Sequence, residues 1–90
     1  MENSKEFQSA VDFVKKLKGT PTNDEKGLLY GLFKQAKFGD VNIEKPNSIN
    51  FVAAVKYSNW EKHKGKSKYD SEVEYIKTVN ELIKKYGVNQ

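Results

Sequence analysis

Phe7, Ala10, Val11, Val14 and Leu17 recur at i, i+3, i+4, i+7 and i+10, a spacing that gathers them into one apolar stripe on a helix from about Ser4 to Leu17. Gly19 and Pro21 end that helix. Thr22, followed three residues later by Glu25, has the form of a capping box, in which each side chain satisfies the other's free backbone N–H. Leu28, Leu29, Leu32, Phe33 and Ala36 then form a second stripe that stops at Gly39, which predicts a helix over Asn23 to Phe38. From Gly39 to Asn50 no period holds and Pro46 interrupts, so this connection exceeds the usual length of about 2–8 residues between bundled helices. Phe51, Ala54, Val55, Tyr57 and Trp60 support a third helix of about Phe51 to Lys64, closed by Gly65. Ser67 with Asp70 caps a fourth, which Tyr69, Val73, Ile76, Val79, Ile83 and Tyr86 carry as far as the terminator Gly87. No strand-like alternation appears, so the fold class is all-α. Short connections imply that the first and second helices, and the third and fourth, are antiparallel neighbours, with the long loop crossing the bundle.

Ninety residues suit one domain, 1–90, with a small core. With 37% hydrophobic and 31% charged residues, no apolar run approaches the roughly 20 residues of a membrane span. The opening Met1-Glu-Asn-Ser-Lys5 lacks a leader's apolar stretch, so a soluble, cytoplasmic protein is expected. The chain has no cysteine and a single histidine, His63, which leaves no cluster of metal-ligand spacing and no thiol nucleophile. A net charge of +4 and a pI near 9.2 favour an anionic partner. All sixteen basic residues are lysine, so the guanidinium fork that reads guanine is missing, which weighs against a sequence-specific DNA reader. No Gly-x-Ser-x-Gly elbow or Gly-rich phosphate loop is present, and the adjacent carboxylates Asp24 and Glu25 are explained by the helix start, so no enzyme is expected.

Tyr30, Phe33 and Lys34 share one face of the second helix at i, i+3, i+4. Lys56 opens the third helix and Tyr75 sits at the edge of the fourth helix's stripe. If the helices bundle, these five can converge on one anionic, aromatic ligand such as an adenine nucleotide. The competing reading is packing: aromatics at helical spacing usually belong to a core, and lysines beside them lay their stems along it. Spacing alone favours packing. Trp60 suits a packing role, while the run Lys62, Lys64, Lys66, Lys68 and the flanked His63 are expected to face solvent.

Phe7, Leu17-Lys18, Pro21, Tyr30, Lys34-Gln35-Ala36, Gly39-Asp40, Pro46, Phe51, Lys56, Trp60, Lys64-Gly65, Ser67, Tyr75 and the ending Leu82 to Gly87 together closely resemble the acyl-CoA-binding protein family. The resemblance implies an up-down-down-up four-helix bundle with its ligand, a long-chain fatty acyl-CoA, in a bowl. It implies that Tyr30, Lys34 and Lys56 hold the 3′-phosphate of CoA, that Tyr75 and the ring of Phe33 contact adenine, and that Lys15 stands near the phosphates. Three departures from the family pattern stand out: Phe33 stands for a common tyrosine, Lys26-Gly27 for bulky apolar residues near the far end of the acyl chain, and Tyr57 for a tryptophan beside Trp60. The function implied is a monomeric, cytoplasmic carrier without cofactor or metal, delivering acyl-CoA to enzymes that use it, with transient membrane contact and no nucleic-acid partner. The alternative is a small basic helical module that binds RNA or an acidic protein surface.

Overall fold

The computed structural model describes residues 3–47 and 49–89; Met1 and Glu2, which opened the leaderless N-terminus expected above, lie outside the described residues. Four helices form: α1 Lys5–Val14, α2 Asn23–Phe38, α3 Phe51–Glu61 and α4 Lys68–Tyr86. Each starts on a side chain that accepts an otherwise free backbone N–H. Ser4 caps α1, Asn50 caps α3 and Ser67 caps α4. At α2 the full capping box is present, with the Thr22 amide donating to Glu25 Oε1 at 2.8 Å and the Glu25 amide to Thr22 Oγ1 at 3.1 Å. Gly39 and Gly87 end α2 and α4 at φ of 78° and 74°, where a side chain would be strained.

Two helices are shorter than periodicity suggested. α1 stops at Val14 rather than Leu17, because Leu17 is drawn into an isolated antiparallel bridge with Val88. There the Lys18 amide donates to Gly87 O at 2.9 Å and the Asn89 amide to Lys16 O at 2.8 Å, so the segment after α1 is clasped to the segment after α4. α3 stops at Glu61 rather than Lys64, where the amides of His63 and Lys64 turn back to Trp60 O and Glu61 O, a tighter i→i−3 winding.

Helix directions follow from which ends meet. Asn3 and Ser4 bond Glu72 at the start of α4, and Lys18 bonds Gly87 at its end, so α1 and α4 are parallel. Glu25 at the start of α2 meets Lys85 and Tyr86 at the end of α4, which makes α2 antiparallel to α4. Tyr30 faces Lys56 and Phe38 faces Trp60, so α3 runs parallel to α2. The bundle is therefore up-down-down-up. Its packed pairs are α1 with α4, α4 with α2 and α2 with α3; the pairs α1–α2 and α3–α4 are antiparallel as expected but, among the described residues, are not the packed neighbours that the short connections implied. A short connection fixes direction without fixing the packing partner, and here α4 takes the place between α1 and α2.

Phe7 and Ala10 of α1, Leu29, Leu32 and Ala36 of α2, and Tyr75, Val79 and Leu82 of α4 form one buried cluster. α3 contributes nothing to that cluster. Its single buried side chain, Trp60, packs against Phe38 and donates Nε1–H to Gly39 O at 2.8 Å. Fully buried Gln35 donates to both Asp40 Oδ1 and Lys66 O at 2.8 Å, and the Gly65 amide also donates to Asp40, so the start of the long loop is fastened to the α3–α4 corner. The Gly65 amide, then Gln35, hold the Asp40 carboxyl below its ordinary range.

At that corner two expectations need correction. His63 is half-buried beside Gly31 rather than solvated, and burial, followed by the Lys66 ammonium 3.3 Å from Nδ1, pushes its pKa down. Lys66 is not free in solvent either, since it pairs with Glu74 at 2.8 Å.

Candidate functional site

α2 and α3 approach closely because α2 carries no side chain at Gly27 or Gly31 where they cross Asn59. A Cβ on Gly31 would lie 2.1 Å from the Asn59 carbonyl oxygen, and one on Gly27 would lie 2.8 Å from the Asn59 amide. Above this crossing the two helices leave a groove of about 550 Å³, walled by Tyr30, Phe51, Val52, Val55 and Lys56. Phe51 and Val55 are 74% and 43% exposed, so the leading apolar side chains of the α3 stripe face open space. With α3 packed against α2 alone, its N-terminal half has no second helix to cover it.

At the mouth of the groove Tyr30 stands between two cations. Lys34 Nζ lies 6.0 Å from the Tyr30 ring centre and Lys56 Nζ lies 5.7 Å from it. Lys34 is further enclosed by Phe38 at 4.5 Å and Trp60 at 4.8 Å, which place its ammonium over ring faces. Among the described residues neither lysine has an ion pair. Two ammonium groups beside one phenol ring supply donors and positive charge, which suits a phosphate or another compact anion.

Phe33 shares its helix face with Tyr30 and Lys34 but packs against Phe7 of α1 and Tyr75 of α4. Phe33 is half-buried, stacked on Phe7 at 6.0 Å and tilted against Tyr75 at 6.4 Å, with Lys37 Nζ 5.6 Å from its centre. It lines a hollow of about 310 Å³ between α1 and α2, together with Phe7, Val11 and Lys37. That hollow exists because α1 and α2 do not pack directly. Tyr75 sits beneath, only 4% exposed and edge-on to Phe7 at 5.0 Å, and burial pushes its phenol up to about 12. Lys15 is exposed just past α1, four residues beyond Val11 of the same hollow. The six residues singled out in the sequence thus divide into two sets: Tyr30, Lys34 and Lys56 meet directly, Phe33 and Tyr75 meet each other, and Lys15 touches neither set.

Sequence reasoning passed over Phe38 and Trp60 as the box around Lys34, and Phe51, Val52 and Val55 as groove walls. It read Gly27 only as part of a departure from the family pattern near the far end of the acyl chain. The signal available was the pairing of Gly27 with Gly31, a four-residue spacing that puts both on one face. Among the described residues no group of three or more His, Asp or Glu side chains stands together as metal ligands would.

Residues 4–79 match the family model described as acyl-CoA-binding protein. The acyl-CoA-binding protein homolog 1 of Caenorhabditis elegans is 43% identical over 81 residues, covering 90% of this chain and 94% of that protein. Among solved structures, the acyl-CoA-binding protein 2 of Oryza sativa superposes with a TM-score of 0.85 at 36% identity, over 89% of this chain and 87% of that one. The solution structure of the yeast acyl coenzyme A binding protein gives a TM-score of 0.73 at 42% identity, over 94% and 99% of the two chains. A family match across most of the chain, reinforced by full-length relatives of the same four-helix shape, establishes that this chain belongs to the acyl-CoA-binding protein family.

Proposed function

We propose that this chain is a non-catalytic, monomeric carrier of medium- to long-chain fatty acyl-CoA esters, acting as a single domain in the cytoplasm. The observation that carries the reading is the Tyr30 ring flanked by Lys34 and Lys56 at 6.0 and 5.7 Å, opening onto a groove whose apolar walls are exposed. One end of the ligand is a phosphate-rich nucleotide and the other a hydrocarbon, and both chemistries stand side by side here. Family membership supports the same ligand class.

In this reading Tyr30, Lys34 and Lys56 hold the 3′-phosphate, each charged hydrogen bond worth about 1.5–3 kcal/mol. Phe33 and Tyr75 serve the adenine, Phe33 from the hollow's wall and Tyr75 from beneath it, and Lys15 adds positive charge near the phosphates. The acyl chain lies against Phe51, Val52 and Val55, each buried methylene contributing up to about 0.8 kcal/mol. Nothing in this chemistry asks for a metal or cofactor. The protein would keep the thioester from water and pass the ester to acyl-CoA-using enzymes, touching membranes transiently.

Calorimetric titration with palmitoyl-CoA, CoA and palmitate tests this. Palmitoyl-CoA should bind at one site far more tightly than either part alone, because the cost of immobilisation is met once while both halves contribute contacts. Equal affinity for CoA and palmitoyl-CoA would overturn it.

A further inference from the structure

The α2–α3 groove is not apolar to its end. From the Tyr30–Lys56 mouth it runs past Val55 and the bare backbone of Gly27 toward the N-termini of the two parallel helices. At that far end stand Lys26 and Asn23, beside Phe51 and Val52. Lys26 is one helical turn before Tyr30 and shares its face, so Tyr30 separates it from Lys34. Among the described residues Lys26 has no ion pair: Glu25 is taken by Thr22, Lys85 and Tyr86, and Asp24 lines the neighbouring groove instead. Among the described residues no carboxylate lines this groove. A trough built only for a methyl-ended chain gains nothing from an ammonium and an amide at its end, whereas a carboxylate placed there gains a charge-assisted hydrogen bond and the attraction of an unpaired cation.

Building on the carrier reading above, we propose that the groove accepts acyl-CoA esters whose chain ends in a carboxylate, with the ω-carboxylate paired to Lys26 and bonded by the Asn23 amide. At Gly27 the missing side chain leaves room for the Asn59 side chain in the groove's lining. The ligand class is therefore a dicarboxylic acid joined to CoA through one end.

The test titrates dodecanoyl-CoA and its ω-carboxy analogue against the wild-type chain and Lys26→Met, an exposed helix position where methionine is a good helix former. The wild type should bind the two esters within about threefold of each other. Lys26→Met should weaken the ω-carboxy ester roughly tenfold, the scale of one charged hydrogen bond, while leaving dodecanoyl-CoA unchanged or slightly tighter. The ratio of the two affinities removes the variant's general loss of positive charge, which acts on the CoA phosphates of both ligands alike. A ratio that is the same in both proteins, or a wild type that rejects the ω-carboxy ester by a hundredfold, overturns the proposal. Failure of dodecanoyl-CoA itself to bind would bring down the carrier reading and this inference together, whereas failure of the ω-carboxy ester alone removes only this one.

Discussion

Phe33 belongs at once to the wall of a hollow and to the margin of the core, stacked on Phe7 at 6.0 Å yet half-exposed. Phe33→Ala should therefore lower stability by about 1–3 kcal/mol, less than the roughly 3–5 of a fully buried phenylalanine. If the ring serves the adenine, the same variant should also lose about 1–3 kcal/mol of palmitoyl-CoA affinity. Phe33→Tyr should move affinity by no more than about 0.5–1.5 kcal/mol, since a hydroxyl on a half-exposed ring can reach water. Denaturant melts and titrations of both variants check this, and stability losses accompanied by unchanged binding would remove Phe33 from the site. Tyr75 illustrates a limit of periodicity at this scale. Periodicity put it at the edge of an α4 stripe through Val73 and Ile76, yet the buried face of α4 runs through Tyr75, Val79 and Leu82 while Val73 stays exposed, because Phe7 arrives from α1 and Phe33 from α2 to cover Tyr75.

At the scale of elements, the starts of α2 and α4 were legible because Thr22 and Ser67 act on backbone within three residues, while those of α1 and α3 came from the first periodic apolar residues and their caps, Ser4 and Asn50, were not read. Helix partners were not, because an apolar stripe says that a face is to be covered without naming the cover. The stripe of α3 reads like a core stripe, yet its front half borders a groove. Gly31→Ala is the sharpest probe of the α2–α3 approach: its Cβ would meet backbone, not a movable side chain, and the helices must part. A loss of about 1–3 kcal/mol in denaturant melts is expected, with palmitoyl-CoA affinity falling alongside. Gly27→Ala meets only the Asn59 side chain, so its loss should be smaller; equal losses would contradict the contact geometry.

The capping box of α2 also works between elements. Glu25 accepts from the Tyr86 hydroxyl at 2.6 Å, and also from Thr22 and Lys85, and these bonds hold its carboxyl at about 2 instead of the ordinary 4.5. A carboxyl depressed on folding contributes stability that is full above about pH 4.5 and declines as pH falls toward 2. Tyr86→Phe removes the leading bond while keeping the ring. The stability gap between wild type and this variant should be full at pH 6 and narrow between pH 4.5 and 2; a gap constant with pH would show that Tyr86 acts through packing alone.

As a whole the molecule is a row of helices, α1, α4, α2, α3, with described backbone extents of 40 × 31 × 14 Å. A row one helix thick leaves both faces of α2 partly uncovered, which is why hollows open on its two sides and why six residues read from sequence fall into two neighbouring sets. The central claim is that a phosphate sits between Tyr30, Lys34 and Lys56, and one double-mutant cycle tests it most directly. Palmitoyl-CoA and palmitoyl-dephospho-CoA, which lacks the 3′-phosphate, are titrated against wild type and Lys56→Ala. Lys56 is exposed, so its loss should leave stability within about 0.5 kcal/mol. Removing either the phosphate or the lysine should weaken binding more than tenfold, and removing both should cost little beyond the first, a coupling of about 1–3 kcal/mol. Fully additive losses would mean that Lys56 and the 3′-phosphate do not meet, and would contradict the account.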